Sequence, residues 1–313
     1  MSIQKNRTIL ITGGCGFVGK HLVNHILENN LYNKVLVCCH RKEQQQQFDN
    51  RIIFVKADLL NPAGYDKIFR KYHPNEIIHL AAIARYRQGE ENPEETVAAN
   101  LFGTIRLIEL ARQYGVSRFL FASSNLARNP KGVTGATKYL AEAFIKTINE
   151  PPVVCSIRLP NVIDSPGAVT LIFKRQIEAG ETITITDKRM TRKFITPEQS
   201  AKDLIFALST GKHQDIFINN KPSTPIIKLA QQMIARSGKQ IPVEFIGMRP
   251  GEKLLEEDYP AETIAATAHQ NLFLLTEEQH RIRNIKTAIG LLNGKVSQKL
   301  LAEINLLFKI NKQ

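Results

Sequence analysis

The chain has 313 residues, 43% hydrophobic and 23% charged, which is ordinary for a globular protein and ample for one large or two intimate domains. No apolar run approaches a membrane span, and Met1–Arg7 leads straight into a strand pattern, so neither a spanning helix nor a signal peptide is expected. The formal net charge is +13, but the basic residues are scattered and not interleaved with aromatics, which argues against nucleic acid and for phosphate-bearing small molecules.

Strand and helix patterns alternate from the start. Thr8–Thr12 reads as a strand, followed by a glycine turn and an amphipathic helix to about Asn29. Lys34–Cys39 and Arg51–Lys56 are the next strands. Asn61-Pro62 opens a helix through Tyr72, and Glu76–Ala81 is a fourth strand. Asn92-Pro93 reads as cap and first residue of a long helix to Tyr114. Arg118–Ala122, a helix over Thr134–Ile148 and the strand Val153–Arg158 follow. This alternation predicts an α/β fold, a doubly wound parallel (Rossmann) sheet with ligands at the carboxyl ends of the strands. Beyond about Pro166 the pattern loosens, with helices over Ala168–Ala179, Pro197–Ser209 and Ile226–Ser237 and strands over Thr182–Thr186 and Val243–Ile246. Two further helices are expected near Thr276–Leu292 and Ser297–Leu307. Residues 1–165 are therefore read as the dinucleotide-binding domain, and 166–313 mainly as a smaller substrate-binding lobe with segments returning to the first. The spacing of Cys15, Cys38, Cys39 and Cys155 fits neither a zinc site nor a disulfide frame, so reduced thiols in a cytoplasmic protein are expected.

The turn after the first strand carries glycines at 13, 14, 16 and 19. That spacing suits a tight turn, close approach to a pyrophosphate and helix–strand packing, with the helix N-terminus facing the phosphates. The cofactor set is Gly13, Gly16, Phe17, Val18 and Gly19, then Asp58 and Leu59 after the third strand, Ala81 and Ala82 after the fourth, with Asn100 and Lys138. Asp58 can accept the adenine amino group. The end of the second strand reads His40-Arg41-Lys42, where NAD enzymes of this fold carry a carboxylate, and two cations there favour the 2′-phosphate of NADP over NAD. His79 reads as a packed strand histidine.

Several motifs together resemble one family. They are Thr12–Gly19, His79-Leu80-Ala81-Ala82 with Glu91-Asn92-Pro93, Gly135-Ala136-Thr137-Lys138, Arg158-Leu159-Pro160-Asn161-Val162, Met190–Thr196 and Gly247–Leu254. The chain resembles an extended short-chain dehydrogenase/reductase, and more narrowly the polysaccharide-biosynthesis family of UDP-N-acetylglucosamine 4,6-dehydratases. The resemblance implies a lyase-type reaction. Hydride leaves a sugar carbon for the nicotinamide, water is lost across C5 and C6, and the hydride returns at C6. It also implies a Ser/Thr, an Asp-Lys pair and a Tyr-x-x-x-Lys helix as catalysts. Ser124 and Lys138 match, but the Asp-Lys pair is Asn125-Leu126 and the Tyr is Thr134. Asn donates no acidic proton, Leu does not titrate, and an aliphatic hydroxyl needs a strong base beside it.

Three readings stay open: a silent NADP- and UDP-sugar-binding paralogue or partner subunit, takeover by other groups such as Tyr86 or Arg85, or changed chemistry such as epimerisation or reduction. Tyr139 follows Lys138 directly and is rotated by about 100° from it, which points to packing. On the substrate side, the resemblance places Arg192 and Arg249 on the UDP diphosphate, Glu252 on the uridine ribose and Asn161 on a phosphate or sugar oxygen. Glu256-Glu257-Asp258 reads as solvated surface. No cluster has metal-ligand spacing, so no metal is expected. Self-association into a dimer or larger homo-oligomer is expected through the helices over Pro93–Tyr114 and Thr134–Ile148.

Overall fold

In a computed structural model, residues 7–40, 49–248, 252–256 and 258–276 are described. Apolar stretches build the sheet: β1 (Thr8–Thr12), β2 (Lys34–Cys39), β3 (Ile52–Lys56), β4 (Glu76–His79), β5 (Arg118–Ser124) and β6 (Val153–Leu159). β1 is buried along its whole length, as a strand covered on both faces must be. Leu10 faces one core, and Ile9 and Ile11 face the other. The helices divide accordingly. α1 (Phe17–Glu28) and α8 (Pro197–Thr210) cover one face; α2 (Pro62–Tyr72), α5 (Thr104–Gln113) and α6 (Val133–Ile145) cover the other.

Three strands from the second half complete the sheet: β7 (Ile216–Asn219), β8 (Ile264–Ala266) and β9 (Leu272–Leu275). Among the described residues the strands of this sheet stand in the order β8-β9-β7-β6-β5-β4-β1-β2-β3. β7 is parallel to β6, while β9 and β8 add antiparallel edges. These strands escape sequence reading because each is only three or four residues long. A separate small core gathers Phe173, Ile177, Ile183, Ile185, Met190, Ile226 and Ala230 from α7 (Val169–Ala179), α9 (Ile226–Ser237) and the pairing of 183–185 with 243–245.

Other boundaries shift for physical reasons. β4 stops at His79, because Ala81 turns back to donate its N–H to Thr12 Oγ1 at 3.2 Å. A six-residue helix, α3 (Tyr86–Glu91), precedes α4 (Pro93–Val97). The expected long helix then passes through a π-turn at Ala98–Gly103 before α5. Asn100 lies in that wide turn, fully buried, and π-turns of this kind are used to aim a side chain. α6 is buried along almost its whole length. The helices expected beyond Thr276 lie outside the described residues. No helix among the described residues is long and apolar enough to cross a membrane.

The cysteines depart from expectation. Cys15 and Cys39 are brought side by side, with Cα atoms 5.5 Å apart, because β2 runs beside β1 and ends next to the turn. Cys38 and Cys155 are buried and free.

α6 is fastened to β6 by a fully buried ion pair. Arg158 donates to both Glu142 oxygens, at 2.9 Å from Nε and 2.5 Å from Nη2, and to the Tyr259 hydroxyl at 3.2 Å. Removing one partner strands a charge in a dry site. Glu142→Gln is expected to destabilise the chain by about 3–5 kcal/mol in urea unfolding, and Glu142→Met with Arg158→Met to recover most of that loss.

Candidate functional site

The turn after β1 is shaped by steric necessity. Gly13 adopts φ +69°, and a Cβ there would stand 2.7 Å from the Ala81 nitrogen. A Cβ on Gly19 would stand 2.4 Å from the Gly13 carbonyl oxygen. α1 begins at an exposed Gly16 with no side-chain cap, so its first-turn N–H groups and positive dipole end face outward. Where β2 and β3 end, a cavity of about 420 Å³ is lined by His40, Lys56, Ala57, Asp58, Asn61 and Gly64. Asp58 accepts from the Leu60 N–H at 2.9 Å and lies 3.4 Å from His40 Nδ1. Arg41 and Lys42 lie outside the described residues.

Phe17 and Val18 open α1 and are partly buried. Leu59 packs against Gly103. Asn100 reaches the loop after β4 from behind: its Oδ1 accepts from Ile83 N–H at 2.8 Å, and its Nδ2 donates to Ile83 O at 3.0 Å and Thr137 Oγ1 at 3.4 Å. Asn100 therefore shapes the loop carrying Ala81 and Ala82. A buried relay supports it. The Thr12 hydroxyl accepts from Ala81 and so donates to His79 Nδ1 at 2.6 Å, while His79 Nε2 donates to Thr104 Oγ1 at 2.9 Å, which in turn donates to Asn100 O at 2.7 Å. Burial pushes His79 down to about 3, aided by the Lys138 charge, so it is a neutral, packed side chain.

The end of β5 and the start of α6 form the second half of the site. Ser124 Oγ accepts from the Leu126 N–H at 3.2 Å and caps a short turn over Asn125–Ala127. Lys138 is 5% exposed, donates to Ala122 O at 2.8 Å and lies 4.5 Å from the Phe121 ring. Burial lowers its pKa to about 8, against the opposing pull of Glu142. Thr134 is 2% exposed and its hydroxyl has no hydrogen-bond partner; a Cβ on Gly89 would stand 2.1 Å from it. The hydroxyl therefore points at α3. Tyr139 is buried.

Two residues of α3 enter the site. Glu90 Oε1 accepts from the Val133 N–H at 2.7 Å, supplying the cap that Gly132 lacks at the start of α6. Burial raises its carboxyl, and hydrogen bonds from the Val133 and Thr134 backbone oppose the rise. The Tyr86 ring lies against Gly132, and burial, with the charges of Glu90 and Glu252, pushes its phenol up to about 12. Tyr86 thus stands between the start of α6 and the 252–256 segment. Glu90 went unnoticed in the sequence. Its signal is a helix start without a capping side chain of its own.

The 252–256 segment reaches across to Asn125. Lys253 Nζ donates to Asn125 O at 3.4 Å and to Arg128 O. Glu256 is not solvated surface: its side chain is 9% exposed and accepts from Lys193 N–H at 2.8 Å, Asn161 Nδ2 at 3.0 Å and Asn125 Nδ2 at 3.5 Å. Asn125 Oδ1 is buried without a partner. Arg192 is committed to the chain itself, with Nη1 on Thr191 O and Nη2 on Lys253 O, each at 2.7 Å, and Glu252 and Glu256 each 4.0 Å away. Glu257 and Arg249 lie outside the described residues. The described residues contain no group of three or more His, Cys, Asp or Glu placed to hold a metal ion.

Comparison with known proteins agrees with this geometry. Residues 9–277 match the family described as "Polysaccharide biosynthesis protein". The chain belongs to that family. It is 34% identical over 270 residues to the capsular polysaccharide biosynthesis protein CapD of Staphylococcus aureus, covering 80% of this chain and 45% of CapD. The chain thus spans about half the length of the curated relatives it matches first. Among solved structures, Pen from Bacillus thuringiensis superposes with a TM-score of 0.80 at 28% identity, covering 88% of this chain and 90% of Pen. A UDP-glucose 4-epimerase from Thermus thermophilus, solved with NAD, shares the fold, with a TM-score of 0.71 at 23% identity over 82% of this chain and 91% of its own. DesIV, a dTDP-glucose 4,6-dehydratase from Streptomyces venezuelae, shares the fold as well, with a TM-score of 0.74 at 18% identity over 82% of this chain and 89% of its own.

Two measurements probe the packing at the start of α6. Gly89→Ala drives a methyl into the Thr134 hydroxyl and is expected to destabilise by about 1–3 kcal/mol; in a Thr134→Ala background the same change should lose most of its effect, giving a coupling above about 1 kcal/mol in a double-mutant cycle. Lys138 has a folded-state pKa of about 8 against an ordinary 10.5. The folded chain therefore binds fewer protons between these values, and stability rises with pH through that window. Wild type should gain on the order of 3 kcal/mol over Lys138→Met between pH 7 and 10.5 in urea unfolding; equal slopes for the two proteins would refute the assignment.

Proposed function

We propose that this chain is an NADP-dependent, 4,6-dehydratase-like protein that acts on a UDP-N-acetylglucosamine-type sugar in surface-polysaccharide biosynthesis in the cytoplasm. The observation carrying the reading is the meeting of two half-sites at Asn125. Asn125 directly follows β5, its Nδ2 donates to Glu256 and its carbonyl oxygen accepts from Lys253, both of the second half. Family membership supports this reading, as does the NAD in the epimerase neighbour.

The residues present fit a dinucleotide. The uncapped first turn of α1 can receive a pyrophosphate, Gly13 and Gly19 allow the close packing around it, and a cavity lined by His40, Lys56 and Asp58 lies where β2 and β3 end. In this reading Gly16, Phe17 and Val18 hold the pyrophosphate, Asp58 and Leu59 border the adenine, and His40, with Arg41 and Lys42, meets the 2′-phosphate. When bound, the nicotinamide supplies the hydride acceptor and donor. The chain's own part is to orient and to move protons. Ser124 offers a hydroxyl at the end of β5, and Lys138 holds a cation one helical turn from Thr134. Glu252 and Arg249 are assigned to the nucleotide, with Arg192 holding their segment in place. Asn161 sits on Glu256 at the edge of the sugar position. A dimer or larger homo-oligomer is part of the proposal and is read by sedimentation.

A second reading has its own observation. The Thr134 hydroxyl is buried against Gly89, Asn125 replaces a carboxylate and Leu126 an amine, so the chain binds both ligands without turning them over. One experiment separates the readings: calorimetry with NADP and UDP-N-acetylglucosamine, then NMR of the sugar. A 4-keto-6-deoxy product from wild type is the expected result and sinks the silent reading. Binding without product, with turnover appearing in Thr134→Tyr/Asn125→Asp/Leu126→Lys, establishes the silent one. Absence of UDP-sugar binding refutes both.

A further inference from the structure

Cys15 and Cys39 have no part in the chemistry above. Cys15 lies inside the phosphate-facing turn, between Gly14 and Gly16, and Cys39 ends β2. β1 and β2 stay in register to Thr12 and Cys38, and Gly14 N–H donates to Cys38 O at 3.2 Å, so the turn folds back over the end of β2. The resulting Cα separation of 5.5 Å falls within the span a disulfide bridges. The other two cysteines are placed differently. Cys38 faces the opposite core, with its sulfur 3.6 Å from Tyr65 Oη, and Cys155 lies 3.6 Å from Ala207 O. Burial raises both of these thiols, Cys155 to about 12.

We propose that Cys15 and Cys39 form a redox-responsive modification site that locks the glycine turn and tunes dinucleotide affinity. Cys15 is half-buried and immediately precedes the N-terminus of α1, whose positive dipole end favours a thiolate. The oxidant is a small disulfide such as oxidised glutathione. The Cys15 thiolate attacks it and forms a mixed disulfide, expelling one glutathione thiolate. Cys39 then attacks the Cys15 sulfur and expels the second. Two protein thiols are oxidised, one glutathione disulfide is reduced to two thiols, and the cysteine protons pass to the departing thiolates.

The bond lies behind the turn. Cys39 is 3% exposed in the core under α1, where Cys15 and Val18 also pack, while Gly16 on the far side is exposed. Closure therefore restrains the turn without filling the pyrophosphate position. A turn already ordered loses less freedom on binding, so the oxidised chain should bind the dinucleotide more tightly. By linkage, bound dinucleotide favours closure by the same factor. The consequence for affinity rests on the cofactor reading; formation of the pair does not.

The test uses the whole chain in glutathione buffers of graded ratio, with thiols counted by alkylation and mass spectrometry and NADP affinity read by calorimetry. Expected are the loss of two thiols in one 15–39 linkage, NADP binding about threefold to tenfold tighter in the oxidised form, and closure at a more reducing ratio when NADP is saturating. Cys15→Ser should form no linkage and show one affinity at every ratio. Failure to link at any ratio overturns the proposal, as does equal affinity of the two forms with NADP bound. If neither form binds NADP or NAD, the cofactor reading fails and the proposed affinity control fails with it, whereas the thiol count still reports whether the pair closes.

Discussion

The buried pair of Arg158 and Glu142 is the constraint on which the site depends. A guanidinium and a carboxylate without solvent hold their place only when their hydrogen bonds are met together. Here Arg158 spends its donors on Glu142 of α6 and on Tyr259 of the second half. One residue at the end of β6 thereby sets the seating of α6 against the sheet and draws in the segment that follows the 252–256 turn. Arg128 stacks on the same Tyr259 ring at 4.3 Å, which ties the loop after β5 to the same node. Lys138, Thr134 and Asn125 inherit their positions from this arrangement.

The polar groups around the cleft are engaged in building it. Glu90 caps α6, Glu256 gathers Asn125, Asn161 and the Lys193 backbone, and Arg192 holds the carbonyls of its own strand and of Lys253. The positions to which the family resemblance assigns proton transfer carry Thr134, Asn125 and Leu126, and the first of these turns its hydroxyl into packing. What remains titratable and close is Lys138, with Tyr86, Glu90, Lys253 and Glu256 brought from elsewhere in the chain. Burial lowers the Lys138 cation and Glu142 opposes that fall, while its ammonium donates to Ala122 O and stands over the Phe121 ring.

Much of the sheet was legible because local pattern and tertiary role coincide. The run Thr8–Thr12 before glycines 13, 14, 16 and 19 can satisfy its backbone and its apolar surface in few ways, and the parallel register follows from the helical crossovers. The second half was harder. Ile216–Asn219, Ile264–Ala266 and Leu272–Leu275 are too short to show a period, and they become strands because an edge of the sheet needs partners. The break in the helix after Pro93 was equally hidden. It exists because Asn100 must reach both backbone groups of Ile83, a contact across 17 residues.

The sequence by itself determined the glycine turn, the doubly wound order and the identity of the side chains at the end of β5 and the start of α6, because these are properties of local spacing and residue type. Only the tertiary structure decided which groups meet. It carried Lys253 and Glu256 to Asn125 across more than 120 residues, with separations of 128 and 131. It set Gly89 against Thr134 and Glu90 at the head of α6. It also brought Cys39 beside Cys15. The physical reason is the same each time: side chains far apart in the chain come together only after the hydrophobic faces of the sheet and helices have been buried, and spacing along the sequence carries no record of that closure.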